Sequence, residues 1–297
     1  MFSNLKIIPG RPVLIAGPTA SGKSALALRI GREHNGIILN ADALQVYDCW
    51  QILTARPSVE DMAQVPHALY GHVGRRASYS VGQWLRELEP YLDPSCAKTP
   101  IIIGGTGLYF SSLLNGLADI PNVTPSVRSR AEHIVNESGF TTLLRDLEQR
   151  DPLTVSRIDS QNPMRVQRAW EVLETTGQGL AAWQDQTPEP MVRLADCNAF
   201  VLRAPKEVLT PRINNRFRRM LERGAMNECR CALPDWDPTW PSSRAIGARE
   251  IISHLRGEID LETAITAAEI ATRQYAKRQR SWFNARMKQW KWVDIEG

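Results

Sequence analysis

Gly17-Pro-Thr-Ala-Ser-Gly-Lys-Ser24 matches the spacing G-x-x-x-x-G-K-[ST], and each fixed position has a chemical task. Gly17 and Gly22 let the backbone curl, so that the N–H groups of the turn, through Thr19, Ala20 and Ser21, converge on phosphate oxygens. Lys23 brings a point charge to the terminal phosphate, and the Ser24 hydroxyl suits contact with a Mg²⁺ bound there. A diphosphate or triphosphate is the expected ligand. The second group is a carboxylate. Gly36-Ile-Ile-Leu39 is apolar and runs into Asn40-Ala-Asp42, so Asp42 falls just past a strand end, where open α/β sheets place ligand-handling residues. Beside a phosphate cradle, Asp42 can hold Mg²⁺ together with Ser24 or take a proton from a nucleophile. An Asp in this place without the cradle would read as a turn residue or helix cap.

A third strand-like run, Pro100 to Ile103, ends in Gly104-Gly-Thr-Gly-Leu-Tyr109 with no acid. Thr106 offers one hydroxyl at the carboxyl edge of the sheet. Nucleotide-hydrolysing phosphate-loop enzymes usually hold their metal with an acidic residue at such a strand end. Its absence here argues against an ATPase.

These groups need a scaffold. Val13 to Ala16 reads as a buried strand before the loop, and Ser24 to Ile30 as a helix after it. Short apolar strands alternating with helices predict an α/β phosphate-loop fold, a parallel sheet flanked by helices. After Pro121-Asn-Val-Thr-Pro125 the strand signal stops, and Ser126–Ser138, Phe140–Gln149 and Pro163–Thr175 read as helices. Asn198 to Leu202 returns to the sheet. The expected organisation is a catalytic core of residues 1–123 and 196–297, interrupted by an all-helical insertion at 124–195.

With 297 residues the chain can bury one large core and a smaller one, and its net charge of +4 is only mildly basic. The distribution says more: from Arg273 to Lys291 there are seven Lys/Arg and no acid. Arg273, Lys277 and Arg280 share one helical face, with Tyr275, Trp282, Phe283, Trp290 and Trp292 interleaved. Cations beside aromatics suit phosphate contact and base stacking. Arg212, Arg216, Arg219 and Arg223 form a second basic face over an apolar stripe of Ile213, Phe217 and Met220.

Taken in order, the motifs resemble the tRNA dimethylallyltransferase family, enzymes that prenylate an adenine beside the anticodon. The family's G-P-T-A-S-G-K-[ST] is Gly17 to Ser24, and its A-D-S-x-Q-V-Y appears as Ala41-Asp-Ala-Leu-Gln-Val-Tyr47. Thr54-Ala-Arg-Pro57, Pro66-His-Ala68 and Gly104 to Tyr109 follow, then Arg165-Val-Gln-Arg-Ala-Trp-Glu-Val172. Arg244-Ala-Ile-Gly-Ala-Arg-Glu250 and Gln274 to Phe283 complete the set. Ala43, Leu53, Ala68 and Ala248 depart from the family's usual Ser, Gly, His and Tyr.

The resemblance implies dimethylallyl diphosphate as donor, Mg²⁺ as cofactor, and the N6 amine of adenosine 37 in the anticodon stem-loop of tRNA as acceptor. Asp42 would be the general base, with Thr106 and Lys23 beside it. Asp42, Ala43, Leu44, Gln45 and Thr106 would meet the flipped adenine. Arg128, Met164, Arg165, Val166, Gln167 and Arg168 of the insertion, with Arg244, Gly247 and Arg249, would contact the rest of the RNA. Two other readings stay open here. A phosphate-loop kinase, or a prenyltransferase acting on free adenylate, would have little use for two basic helices. An RNA-binding protein whose loop only senses nucleotide would need neither Asp42 nor Thr106.

Five cysteines form no even set and no C-x-x-C pair, which fits free thiols in a reducing cytoplasm. No His/Cys cluster has zinc spacing, and His67 and His72 make no metal site alone. No apolar run reaches membrane-spanning length, and Met1 to Arg11 lacks a signal-peptide core. A monomer without membrane association is expected.

Overall fold

The computed structural model describes residues 5–93 and 95–295, so Met1 to Asn4 of the N-terminal stretch lie outside it. Six strands form one sheet: β1 (Val13–Ala16), β2 (Gly36–Asn40), β3 (His67–Ala68), β4 (Thr99–Gly104), β5 (Asn198–Arg203) and β6 (Lys291–Asp294). Their order is β3-β2-β4-β1-β5-β6, and every pairing is parallel. The central strands are apolar on both faces because both faces are covered. Val13, Ile15, Ile101 and Ile103 enter one core with Leu26 and Ile30. Leu14, Ala16 and Ile102 enter the other with Trp84, Phe110 and Phe283. The register pairs Ala16 with Gly104 and Asn40 with Ile103, so three neighbouring strands end level with one another.

The helices α1 (Lys23–Glu33), α2 (Val59–Gln64) and α3 (Val81–Leu92) join the early strands, and α4 (Gly107–Asn115) follows β4. Then α5 (Pro125–Ser138), α6 (Phe140–Arg150), α7 (Pro152–Arg157), α8 (Pro163–Thr176) and α9 (Leu180–Asp185) make up a separate compact unit, residues 115–190. It has its own core of Ala131, Leu143, Leu147, Val166, Ala169, Trp170 and Leu173. The unit starts and ends earlier than the 124–195 read from the sequence. Gly116 lies against the Pro188 carbonyl, which ties the chain before α5 to the chain after α9. Side chains of Thr124 and Asn162 cap α5 and α8, each followed by Pro at the first turn, as helix starts favour.

The remaining helices, α10 (Lys206–Glu222), α11 (Ala225–Ala232), α12 (Ala248–Leu255) and α13 (Leu261–Arg286), belong with the sheet in the unit formed by 1–114 and 191–297. The late basic segment departs from its sequence reading. Helix α13 stops at Arg286, and Lys291 opens the edge strand β6. Phe283 and Trp290 are buried in the sheet's core, so neither is available for base stacking. The helical period explains Phe283, since it shares its face with buried Ala276 and Gln279.

Candidate active site

Strand β1 delivers the chain to the phosphate loop. Ala20 and Gly22 both take left-handed backbone angles, at φ 62° and 84°. Gly22 caps α1 without a side chain, leaving the first-turn N–H groups of the helix for an anion. Ser21 is buried, and its Oγ has no hydrogen-bond partner among the described residues. A phosphate oxygen would satisfy it, and leaving it unmet is costly. Lys23 Nζ donates to the Pro18 carbonyl at 2.7 Å. Burial lowers its pKa to about 7, with nearby Asp42 pulling it up and Arg216 pushing it down.

Arg216 was read from the sequence as one of four arginines on an RNA-facing stripe. In the structure Arg219 and Arg223 are exposed, whereas Arg216 turns inward and donates from Nη1 to Thr19 Oγ1 at 3.1 Å. Burial lowers its pKa too, and Asp42 counters that shift. The cradle therefore has two cations facing one carboxylate. Nothing in the sequence separated Arg216 from its neighbours except its place beside Phe217 of the apolar stripe.

Asp42 sits just past β2, held by a residue the motifs did not single out. Asn40 Oδ1 accepts the Asp42 N–H at 2.9 Å, and Asn40 Nδ2 donates to the Asp42 and Leu69 carbonyls at 3.0 Å each. Asp42 Oδ1 accepts the Leu44 N–H at 3.0 Å. The neighbouring strand β4 supplies Thr106, whose N–H reaches the Ala41 carbonyl at 3.3 Å and whose Oγ1 accepts the Ala43 N–H at 3.0 Å. This contact requires Gly104, because a Cβ there would overlap the Ala41 carbonyl. The Asp42 and Thr106 turns are thus joined backbone to side chain.

A cavity of about 300 Å³ gathers these parts. Thr19 to Ser24, Asp42, Leu44, Gln45 and Arg216 line its polar side; Leu53, Ile213, Phe217 and Met220 supply apolar wall. Tyr275 and Gln279 of α13 line it as well, and the sequence reading assigned neither a role there. Thr106 is not part of the lining, its hydroxyl being turned to Ala43.

The residues expected to meet RNA are placed unevenly. Arg244, Arg249 and Lys277 are exposed. Arg280 is half-buried beside Trp292 and Asn284. Arg273 donates to Asn214 Oδ1 at 2.9 Å and lies 3.7 Å from Glu269, so its charge is partly spent within the fold. Gly247 is buried at the start of α12, where its N–H donates to Glu250 Oε2 at 3.0 Å. In the helical unit Arg128, Met164 and Arg165 are exposed. Gln167 donates to Glu171 Oε1 at 2.9 Å, and Arg128 Nε stands 3.9 Å from the same oxygen. Arg168 is half-buried, with a pKa lowered by burial. The Val166 side chain is fully buried in the core of the unit. It lies on the same face of α8 as Ala169, Trp170 and Leu173, all core residues.

A family model described as IPP transferase matches residues 45–286. A tRNA dimethylallyltransferase of Cereibacter sphaeroides is 57% identical over 295 residues, covering 99% of this chain and 100% of that protein. One from Dinoroseobacter shibae is 59% identical over 280 residues, or 94% of this chain and 93% of the relative. Among solved structures, the tRNA isopentenylpyrophosphate transferase of Bacillus halodurans superposes with a TM-score of 0.67 at 30% identity, covering 96% of this chain and 90% of that one. A eukaryotic dimethylallyltransferase acting on tRNA gives a TM-score of 0.81 at 25% identity, covering 95% of this chain and 73% of its own. The family match spans most of the chain and the relatives align along nearly all of it: the chain belongs to the IPP transferase family, among the tRNA dimethylallyltransferases.

Proposed function

We propose that this chain transfers a dimethylallyl group from dimethylallyl diphosphate to the N6 amine of adenosine 37 in tRNA, releasing diphosphate. The observation that carries this reading is one cavity in which a phosphate loop, a carboxylate and an apolar wall meet. The loop holds a diphosphate, and Leu53, Phe217 and Met220 suit a five-carbon chain. Lys23 and Arg216 neutralise charge as the C–O bond breaks, which is electrostatic stabilisation of the leaving group. Asp42 takes the proton of the attacking amine. Ser24 and Asp42 line the same cavity and are hard oxygen donors, the type Mg²⁺ prefers. When bound there, Mg²⁺ would add positive charge beside the leaving oxygens.

The test is incubation with undermodified tRNA and labelled dimethylallyl diphosphate, with and without Mg²⁺. Label in tRNA supports the reading. RNA-independent ATP hydrolysis that disappears in Lys23→Ala supports a phosphate-loop kinase or ATPase instead. We further assign the protein to the cytoplasm, in keeping with its five free cysteines, and expect it to be a monomer. No helix among the described residues is long and apolar enough to cross a membrane.

The Lys23 ammonium gives the donor site a pH signature. With a pKa near 7 it is largely neutral above pH 7 in the free protein. An incoming diphosphate favours the charged form, so binding takes up a proton above pH 7 and little below it. Donor affinity is therefore expected to fall as pH rises through 7. Calorimetry at pH 8 in buffers of different ionisation enthalpy measures the uptake, which should shrink in Lys23→Gln.

The RNA assignment has a salt signature. Arg244, Arg249 and Lys277 are free to neutralise phosphates, and each contact contributes about one unit to the slope of log K against log salt. Replacing Lys277 and Arg280 together is expected to weaken tRNA binding and flatten the slope, with donor affinity unchanged. Adding Arg273→Ala should flatten it less than a full unit, because that guanidinium is already paired. An unaltered slope in the Lys277 and Arg280 variant means this face of α13 does not meet RNA.

A further inference from the structure

Gln279 reaches two active-site loops with one side chain. It is buried in α13, its Oε1 accepts the Thr19 N–H at 2.9 Å, and its Nε2 donates to the Gly105 carbonyl at 3.0 Å. An uncharged amide suits this double duty because it accepts at one end and donates at the other. The approach depends on Gly105: a Cβ there would overlap the Gln279 amide nitrogen and stand 3.5 Å from Asp42 Oδ2. One turn along the same helix, Trp282 lies against Gly107, where a Cβ would overlap the indole ring. Two residues three apart on α13 thus grip the chain on either side of Thr106. The glycines flanking Thr106 leave room for α13, which is a packing requirement separate from any contact with ligand.

We propose that Gln279 is a positioning residue that sets the separation between the phosphate loop and the Asp42–Thr106 turns. The proposal rests on the dimethylallyl-transfer reading, in which one of those parts holds the leaving diphosphate and the other the attacking amine. Displacement needs both within reacting distance and in line, and an error of about 1 Å costs on the order of 10²-fold in rate. The strand ends bring the two parts to the same edge of the sheet. The amide ties one to the other, and since it is buried and bonded at both ends it leaves little slack. The Thr19 N–H, expected from the sequence to point at phosphate, is committed to Gln279 instead, so the loop meets a diphosphate in a shape already decided.

Gln279→Leu keeps the bulk and removes both hydrogen bonds. It is expected to lower kcat by about 10²-fold and to weaken binding of inorganic diphosphate by about tenfold, with tRNA affinity within twofold of wild type. Gly105→Ala leaves the amide in place and pushes it from the other side, and the same pattern is expected of it. Gln279→Glu can still accept the Thr19 N–H but has nothing to donate to Gly105, so its kcat should stay low. Combining Gln279→Leu with Thr106→Val should cost little more than the worse single change, because both act through one turn. Near-normal kcat in Gln279→Leu, unchanged diphosphate affinity, or full additivity with Thr106→Val each overturns the proposal. If wild-type protein leaves tRNA unlabelled while Gln279→Leu still loses diphosphate affinity, the transfer reaction is wrong and the brace stands.

Discussion

Asp42→Ala is expected to lower kcat by ~10²–10⁴-fold, the range for losing a positioned proton acceptor, while tRNA and donor still bind. The argument turns on what else Asp42 does. Its Oδ1 accepts the Leu44 N–H, and its own backbone is held by the Asn40 side chain. Alanine removes the first of these contacts as well as the charge, so a loss in that variant alone could reflect a loosened turn. Asp42→Asn separates the two. The amide oxygen can still accept from Leu44, but it cannot take a proton from the exocyclic amine. Both variants should therefore be comparably poor in single-turnover assays at saturating tRNA. Near-normal turnover in Asp42→Asn would reduce Asp42 to a turn residue, and the base would have to be sought elsewhere.

Lys23→Ala is expected to lower kcat/KM for the donor by ~10²–10³-fold, the usual loss for one charge-stabilising group in a closed site. Arg216 remains and its guanidinium still reaches the Thr19 hydroxyl, so the variant should keep residual activity. The double variant Lys23→Ala, Arg216→Ala should lose it. Lys23→Arg should fail to restore the rate, since a planar fork cannot occupy the place of a compact ammonium beneath the Pro18 carbonyl. Affinity for tRNA is the control, and it should stay within twofold. Full activity in Lys23→Ala would separate the phosphate loop from the reaction altogether.

Much of this site could be read from the chain because its parts obey local rules. The glycine spacing from Gly17 to Gly22, the apolar runs of β1, β2 and β4, and the groups immediately after them are all set within a few residues. The parallel order could be expected from alternating strands and helices. Other elements had no local signature. Strand β3 is two residues long, and β6 follows a basic helix so closely that its Trp292 and Val293 were hidden in that pattern. Arg216 looks like any other arginine on α10 until Thr19 is placed beside it. Val166 carries a motif position and still faces the core, because a helix packed among α5, α6 and α9 must bury one side whatever its motif says. Asn40 and Gln279 act through backbone groups, whose availability depends on tertiary structure and not on residue type.

The brace between Gln279 and Thr19 spans 260 residues of chain. Synthesis runs from the N-terminus, so the phosphate loop leaves the ribosome long before α13 exists. Strands β1, β2 and β4 are complete by Gly104, but the other neighbour of β1 is β5, which starts at Asn198. Parallel pairing over such separations forms slowly. A growing or prematurely terminated chain therefore has the loop sequence without Arg216, which completes the cradle, and without the helix that aligns it. The length of chain already made thus acts as a timer on when the enzyme can first turn over.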